Sequence, residues 1–357
     1  MGLRAVGGRS LDRYDAASMR PPTLPTVVAV TLLAGCGETI LLPSDGGVAA
    51  PDTAPASVTV ILATAQRTPH DVALDGAWVY YTSIGDRAVR RVPRRGGVSR
   101  TLVVDEHGPT NLAVDDRFVY FGDYGRGENL FVDGRVGRVA KDGSGTVLYL
   151  AEDVPTVGAV LLDGDYVYYA SMGTTVSGVY QNDGALFRVR KDGSARAEAL
   201  TARDQRVPVG LAVDEAWVYW ASAYGGTLAR CPKSGCNGPP ELLYAGQNQP
   251  RSVAVDDAWL YWASPQATAV FRAAKGGAGA VVELAASRGL PDGLVVAGPD
   301  LFWVEPVAHA VVRMPKEGGA RPVALAADLG LPVAVAVDGD DVVFADEERG
   351  TIVRLAR

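Results

Sequence analysis

The polar and apolar positions of this chain follow one pattern that recurs from about residue 70 to the end. In residues 211–244, short apolar runs alternate with breaks rich in Asp, Gly, Pro and Ser. Aromatic and β-branched runs of this length, separated by turn residues, are typical of β-strands. The run Trp217–Trp220 is apolar on both faces, so other strands must cover it on each side. Four such strands joined by tight turns predict an antiparallel meander that stacks on copies of itself.

The copies occur seven times. The residue that closes the first strand of each copy recurs at intervals of 40, 48, 51, 42, 41 and 41 residues. Four strands in every repeat of roughly 40 to 45 residues is the pattern of a β-propeller. The sequence therefore predicts an all-β fold, a seven-bladed β-propeller of four-stranded antiparallel blades over residues 57–357. The seven second strands begin at Trp78, Phe118, Tyr166, Trp217, Trp259, Asp300 and Asp341.

A lone strand precedes the first unit, and the last unit ends one strand short. The lone strand is Val58–Leu62, and the last unit stops with its third strand at 351–357. A ring of blades leaves no open seam when one strand from the start completes the last blade. We therefore predict that Val58–Leu62 is the outer strand of blade seven.

Residues 1–35 carry the features of a secretory signal. Met19 and Arg20 precede the apolar run Val27–Leu33, which is followed by small residues and Cys36. A charged start, a short apolar core and small residues before a cleavage point form such a signal, and this core is too short to span a membrane. Met19 is the expected true start. The Leu-Ala-Gly-Cys sequence that ends at Cys36 resembles the bacterial lipobox, which implies cleavage before Cys36 and a lipid on its thiol. An ordinary signal peptide followed by a chance cysteine is the alternative.

Residues 36–56 are rich in Pro, Ala, Gly, Asp and Thr and show no periodic pattern, so they predict a flexible tether. An ordered N-terminal arm is the alternative, because Ile40–Leu42 is apolar. Gly37 follows the cysteine where inner-membrane lipoproteins usually carry Asp, and this similarity favours the outer membrane. We expect a protein of the bacterial cell envelope that is held by its lipid.

The charge balance argues against a nucleic-acid partner. The chain carries 34 basic and 41 acidic residues, and removal of residues 1–35 would leave 30 and 39. Because nucleic acids and anionic membrane surfaces attract basic proteins, we expect no nucleic-acid partner and membrane contact only through the lipid anchor.

Cys231 and Cys236 bracket a short turn, which in a secreted protein predicts a disulfide that staples a hairpin. A zinc site at this turn would need two further ligands.

The repeats resemble the YWTD-type propellers of lipoprotein receptors and related bacterial propellers. The resemblance is carried by LAVDEAWVYWAS at 211–222, by VAVDDAWLYWAS at 253–264 and by their relatives, and it covers about residues 57–357. This chain departs from the receptor type in having seven units instead of six, and Ala-Ser where that type has Thr-Asp. The resemblance therefore implies the fold and does not carry over the receptors' ligands.

Two units are longer than the others in the loop between the second and third strands. The distance from the closing aromatic residue to the third-strand Arg is 10 residues in five units, 17 in unit two and 19 in unit three. The insertions are 122–134 and 171–184, and both should stand on the propeller face that carries the connections between blades. Their mixture of aromatic and polar side chains favours recognition, although two solvated hairpins are the alternative. The candidate binding residues here are Asp123, Tyr124, Arg126, Phe131, Tyr180 and Asn182.

A proline begins each connection into a first strand, and the residues after it should face the central funnel. In several units these residues are polar, so they could bind a small polar ligand at the funnel mouth. The alternative is that they only satisfy the ends of the strands. The candidates are His70, Asp71, Asn111, Arg251 and Asp292.

We expect no cofactor. All three histidines fall in connections on this face, and a divalent metal near His70 and His107 is the one possibility, without a ligand motif of fixed spacing to support it.

Two functions fit these features. In the first, the protein is a monomeric lipoprotein facing the surface or the periplasm, a binding or scaffolding propeller for a protein, peptide or glycan. In the second, it is an enzyme, a lyase or hydrolase working at the funnel mouth through His70, His107, Asp71 or Asn111. The second rests on analogy between folds, and no nucleophile-elbow, zinc-protease or phosphate-loop motif is present. The first function is the main hypothesis.

Overall fold

The computed structural model describes residues 52–53, 58–104, 107–125, 132–176, 179–287 and 289–356. The signal segment, Cys36 and most of the expected tether lie outside these residues, as do Arg126 and Phe131. Within the described part of the chain, no helix is both long enough and apolar enough to cross a bilayer.

The protein is a seven-bladed β-propeller of four-stranded antiparallel sheets, as the repeats predict. From the innermost strand outward, blade one comprises Pro69–Leu74, Trp78–Ser83, Ala88–Pro93 and Arg100–Val104. Blade two comprises Pro109–Val114, Phe118–Asp123, Gly134–Ala140 and Leu148–Val154. Blade three comprises Val157–Asp163, Tyr166–Ser171, Ala185–Arg190 and Glu198–Ala199. Blade four comprises Pro208–Val213, Trp217–Ser222, Thr227–Pro232 and Glu241–Tyr244.

The remaining blades follow the same order. Blade five comprises Val253–Val255, Trp259–Ser264, Ala269–Ala274 and Val282–Ala286, with a 3-10 turn at Pro265–Ala267. Blade six comprises Asp292–Ala297, Asp300–Glu305, Ala310–Pro315 and Val323–Ala326. Blade seven comprises Pro332–Asp338, Asp341–Asp346, Thr351–Ala356 and, as its outer strand, Val58–Ala63.

The core lies between neighbouring blades. The second strand of each blade is buried almost throughout, because its two apolar faces pack against the blades on either side. One cluster joins Tyr219 and Leu228 of blade four to Leu260 and Trp262 of blade five. The large aromatic residues that identified the repeats in the sequence therefore form the contacts that hold one blade against the next.

The first and last strands of the propeller pair in blade seven. Val58–Ala63 pairs antiparallel with Thr351–Ala356, and Val60 lies opposite Arg354. Leu62 is 3% exposed and packs in one cluster with Val72 and Tyr81 of blade one. A strand from the start of the chain thus contributes both to blade seven and to its contact with blade one. Within the expected tether, Asp52–Thr53 pairs in parallel with the outer strand of blade six.

The repeated aspartates accept backbone N–H groups of their own turn and also tie one blade to the next. Asp256 accepts backbone N–H groups of Ala258 and Trp259 with one oxygen, and the Tyr261 hydroxyl and the Lys316 ammonium of blade six with the other. The partner is thus the Lys in the turn of the following blade. The ion pairs of this kind are Asp75–Lys141, Asp115–Lys191, Asp163–Lys233, Asp214–Lys275, Asp256–Lys316 and, with an arginine in place of the lysine, Asp338–Arg94.

The repeated third-strand arginines have a different role from the aspartates. Arg230 stacks on the Trp217 ring at 4.2 Å and donates to the backbone carbonyl of Lys275 in the next blade. Arg91 and Arg272 stack on Trp78 and Trp259 in the same way. The repeated aspartates and the repeated third-strand arginines therefore have structural roles.

The disulfide between Cys231 and Cys236 is present, with the two Cα atoms 5.2 Å apart. It closes the turn between the third and fourth strands of blade four, as predicted.

Candidate functional site

The site lies where the innermost strands begin, on the face that carries the connections between blades. Prolines precede or begin these strands, and the residue before the proline has a positive φ in five blades: Thr68, Gly108, Val207, Gln249 and Leu290. A positive φ is uncommon for residues other than glycine, and four of these five are not glycine, so its recurrence marks a sharp entry into the strand. The side chains that follow each proline are thereby directed into the central funnel.

These strand starts enclose a cavity of about 230 Å³. All five of the candidate funnel residues line it, from blades one, two, five and six: His70, Asp71, Asn111, Arg251 and Asp292. Blades three and four contribute mainly small or apolar residues, so the polar groups are gathered on one side. The structure therefore brings these five residues together around one cavity, as the sequence analysis expected.

Two of the five are already used to join blades. Asp71 accepts the backbone N–H groups of Val72 and of Leu112 in blade two, each at 2.8 Å. The amide of Asn111 donates to the backbone carbonyl of Val157 in blade three at 3.0 Å. A large part of the role of Asp71 and Asn111 is therefore the alternative given by the sequence, in which they bond backbone groups at the ends of the strands.

The other funnel groups are more available to a ligand. Arg251 and Asp292 form an ion pair of 3.1 Å at the cavity wall, and both side chains are partly exposed. Nδ1 of His70 and Oγ of Ser252 are buried, and neither atom makes a hydrogen bond to a described residue. Buried polar atoms are normally paired, so these two atoms are positioned for a ligand or for water.

The electrostatics of the funnel keep His70 neutral. Burial and the positive charge of Arg251 lower the pKa of His70 to about 4, against the negative charge of Asp292, which raises it. Burial also raises the pKa of Asp71 to about 6, against the backbone N–H groups of Leu112 and Val72. At neutral pH the imidazole can therefore donate or accept a hydrogen bond without carrying charge.

A titration of the histidine signals by NMR checks this environment, and the chain has 3 histidines to assign. We expect His70 to titrate near pH 4, well below the ordinary value of 6.5. Arg251→Met should raise the His70 pKa, because a positive neighbour is removed, and Asp292→Asn should lower it. Arg313→Met, at an ion pair of blade six, is the control that should leave it unchanged. A His70 titration midpoint near pH 6.5 that is the same in both variants would contradict this environment of His70.

The two insertions place aromatic side chains at the rim. Tyr124 lines the cavity, and burial raises its pKa. In blade three the second insertion forms a hairpin of Thr175–Val176 and Val179–Tyr180. Tyr180 packs edge-to-face with Tyr224 of blade four, with the ring centroids 5.9 Å apart, and its hydroxyl lies 4.0 Å from Sδ of Met172. The rim is therefore aromatic and the funnel beneath it is charged.

Asp123 corrects the sequence interpretation. Its side chain is 0% exposed, and its carboxylate accepts the backbone N–H groups of Gly125 and Arg135. The residue anchors the base of its insertion and is not available to a ligand. Asn182 is exposed with a φ of 61° and shapes the turn that leads back from the blade-three hairpin.

The two histidines considered for a metal have different neighbours. His107 faces Asp123 at 3.6 Å and Asp133 at 3.9 Å, whereas His70 lies in the funnel with Arg251 and Asp292. Among the residues that the structure describes, no group of three or more His, Cys, Asp or Glu side chains is arranged to hold a metal ion.

Met172 and Tyr224 were missed by the sequence interpretation. Met172 lines the cavity and Tyr224 is a large aromatic residue, 43% exposed, in a turn between strands. An exposed tyrosine in such a turn is the signal that could have identified Tyr224, because turns usually carry small or polar residues.

The chain was compared with known proteins. No protein-family model matches it, and no curated protein matches it. Among solved structures, virginiamycin B lyase from Staphylococcus aureus is similar, with a TM-score of 0.68 and 15% identity over 84% of this chain and 98% of that one. The WD40 propeller domain of Doa1 gives a TM-score of 0.66, with 15% identity over 84% and 97%. YCF48 bound to the D1 peptide gives 0.63, with 13% identity over 86% and 100%.

These likenesses show the fold alone. They place the chain among β-propellers, and the similar structures include both a lyase and propellers without that activity in their description.

Proposed function

We propose that the protein is a binding propeller that takes a segment of a protein or peptide at the funnel mouth. The observation that carries this is the cavity in which His70, Arg251 and Asp292 meet beneath the aromatic rim of Tyr124 and Tyr180. An aromatic rim contacts apolar parts of a chain, and the charged groups fix its polar groups. YCF48, a structurally similar propeller, is described with a bound peptide, which supports a polypeptide ligand.

The position of the two insertions also favours ligand binding on the face where the funnel opens. Tyr124 belongs to the insertion of blade two and Tyr180 to that of blade three, so both additions to the basic blade extend toward one sector of the funnel. The other units keep the short loop of the repeat. The chain therefore adds surface where the polar cavity opens, and this coincidence favours binding over a purely structural role for the insertions.

The test begins with selection of peptides from a random display library on the purified protein. Selected peptides are then titrated by fluorescence polarisation against the wild type, Arg251→Met and Tyr124→Ala. We expect affinity to fall by about tenfold or more in each variant, because a charge partner or an aromatic contact is lost. Arg313→Met is the matched control, since it removes an arginine that pairs with Asp300 outside the funnel. Failure to select any peptide, or equal losses in Arg251→Met and Arg313→Met, would contradict the proposal.

A second candidate is catalysis at the same place, favoured by the shifted pKa values of His70 and Asp71. A carboxyl group whose pKa is raised to about 6, as that of Asp71 is, is suited to proton transfer near neutral pH. The similarity to a lyase is consistent with this candidate. Mass spectrometry of a selected peptide after incubation with the wild type and with His70→Gln separates the two functions. Cleavage that disappears in the variant would establish catalysis, and an intact peptide would leave binding as the function.

We also propose that the protein is anchored to the bacterial envelope through Cys36. The support is the sequence around this cysteine. Metabolic labelling with a fatty-acid analogue should mark the wild type and not Cys36→Ser, and equal labelling of both would contradict the anchor.

A further inference from the structure

The carboxylate oxygens that line the funnel all have partners. Oδ1 and Oδ2 of Asp71 each accept a backbone N–H group at 2.8 Å. Oδ1 of Asp292 accepts the N–H group of Gly293 at 2.9 Å, and Oδ2 faces Nε of Arg251 at 3.1 Å. The two acids of the funnel are therefore held by the protein itself and do not depend on a donor from a ligand.

The donors of the same cavity are not satisfied in this way. Arg251 comes closest to Asp292 through Nε, and its two terminal nitrogens, Nη1 and Nη2, make no hydrogen bond to a described residue. Oγ of Ser252 and Nδ1 of His70 are buried atoms that also have no partner among the described residues. Because a buried donor without an acceptor is unfavourable, these groups are positioned for acceptor oxygens from outside the chain.

A bulge at the start of the inner strand of blade five places two of these donors side by side. The N–H group of Arg251 donates to the carbonyl of Ala263 at 2.9 Å, and the N–H group of Ala263 donates to the carbonyl of Ser252 at 3.1 Å. Two residues thus oppose one, which is the arrangement of a β-bulge. Arg251 and Ser252 both line the cavity, although neighbouring residues of a regular strand point to opposite faces.

The other blades show what a polar side chain at the position of Ser252 does elsewhere. Asp71 and Asn111 are also the second residue after the proline. Asp71 accepts the N–H group of Leu112 in the next blade, and Asn111 donates to the carbonyl of Val157 in the next blade. Ser252 makes no such bond, so its hydroxyl is left for a ligand at a position that joins blades elsewhere in the ring.

His70 adds a donor from blade one, across the ring from blade five. Burial and the positive charge of Arg251 lower the pKa of His70, which places the guanidinium close to the imidazole. The neutral ring can donate from Nδ1 when that nitrogen carries the proton. The unsatisfied groups of Arg251, Ser252 and His70 therefore belong to one cavity and all can donate.

We propose that the funnel binds its ligand through a carboxylate. The carboxylate oxygens pair with Nη1 and Nη2 of Arg251 and accept hydrogen bonds from Oγ of Ser252 and Nδ1 of His70. The proposal rests on the function proposed above, since it names the chemical group by which the funnel mouth holds a peptide. The C-terminus of a peptide and the side chain of Asp or Glu both supply this group, and the experiments below distinguish them.

The probe is N-acetyl-L-phenylalanine, and N-acetyl-L-phenylalaninamide is the same molecule with a neutral amide in place of the carboxylate. Both are titrated against the purified protein by NMR. We expect a dissociation constant on the order of 1 mM for the acid. The amide should bind about tenfold more weakly, because the bidentate ionic contact with Arg251 is lost. Equal affinities, or no binding of the acid at about 10 mM, overturn the proposal.

Variants of the two donors in blade five test the contacts themselves. Arg251→Met should remove most of the preference for the acid over the amide, and Ser252→Ala should weaken the acid about tenfold. Ser264→Ala is the matched control for the serine, because Oγ of Ser264 is also buried without a partner but the residue does not line the cavity. The preference is a ratio of two affinities on one protein sample, so partial unfolding of a variant does not imitate its loss. An unchanged preference in Arg251→Met, or equal acid affinities in Ser252→Ala and Ser264→Ala, overturns the proposal.

The pH dependence of binding separates a carboxylate from a cationic ligand group. Burial raises the pKa of Asp71 to about 6. The other titratable or charged groups at the cavity are His70 on the same strand, Tyr124, Arg251 and Asp292, and the strand starts of blades two and seven beside Asp71 carry no charged side chain. Because the charge of Asp71 repels a bound carboxylate, lowering the pH from about 7.5 to about 5.5 should strengthen binding of the acid by about fivefold. An affinity that falls over this range overturns the proposal.

Peptides selected from the display library identify the source of the carboxylate. Amidation of the C-terminus should weaken a selected peptide about tenfold if the terminal group enters the funnel, and replacement of Asp or Glu by Asn or Gln should do so if a side chain enters. A peptide that binds at the funnel and tolerates both changes overturns the carboxylate and leaves the binding function intact. Failure to select any peptide contradicts the binding function itself, so the two failures are distinguishable.

Discussion

Removing the strand Val58–Ala63 is expected to lower the melting temperature by about 10 °C or more. The strand is the outer edge of blade seven, and Leu62 packs with Val72 and Tyr81 of blade one. Its loss leaves the outer edge of the third strand of blade seven unpaired and exposes the apolar contact that joins the first blade to the last. Differential scanning calorimetry of chains that begin at residue 52 and at residue 64 measures the effect.

The control for this experiment is a chain that begins at residue 58, which keeps the strand and removes Asp52–Thr53. It should melt close to the chain that begins at residue 52. The pairing itself is checked by Val60→Cys with Arg354→Cys, which are opposite each other and should form a disulfide. Equal melting temperatures for chains beginning at 52 and 64 would show that the strand does not close the ring.

Arg94→Met is expected to destabilise the protein by about 2 to 3 kcal/mol. Arg94 donates to the carboxylates of Asp338 and Asp341 in blade seven, at 2.6 and 2.7 Å, and to the backbone carbonyls of Asp338 and Asp75. The side chain is 13% exposed, so water replaces little of what the variant loses. Urea unfolding of the variant measures the change in the free energy of unfolding.

Lys316→Met is the matched control, because it removes a single contact, with Asp256, at the equivalent place between blades five and six. An ion pair of this partly exposed kind contributes no more than about 1 kcal/mol. Lys316 and the neighbouring N–H groups lower the pKa of Asp256 to about 2, although burial opposes this. Because the folded pKa lies below the unfolded value, this contribution is present near neutral pH and is lost as the pH falls from about 4 toward 2. A larger loss in Lys316→Met than in Arg94→Met would contradict the closing role of Arg94.

The number of blades and the funnel residues could be predicted because both depend on local patterns. A buried second strand needs aromatic and β-branched residues on both faces, so Trp217–Trp220 and its copies are visible in any one repeat. The proline before each inner strand fixes the strand start, which places His70 and Asp292 in the funnel without knowledge of the packing.

The contacts between blades could not be predicted in the same way. The sequence shows that the aspartates recur, but it does not show that Asp256 pairs with Lys316 of the next blade, 60 residues later. Asp123 was selected as a loop residue for recognition, but it ends the second strand of blade two and its side chain is 0% exposed.

The most direct test of the central claim is the hydrogen-exchange footprint of a selected peptide on the wild-type protein. We expect added protection in the segments around His70, Asn111, Arg251 and Asp292, which come from four blades and meet only at the funnel. Protection should be absent at the turns that carry Lys275 and Lys316 on the opposite face. A footprint confined to that opposite face would contradict a binding site at the funnel mouth.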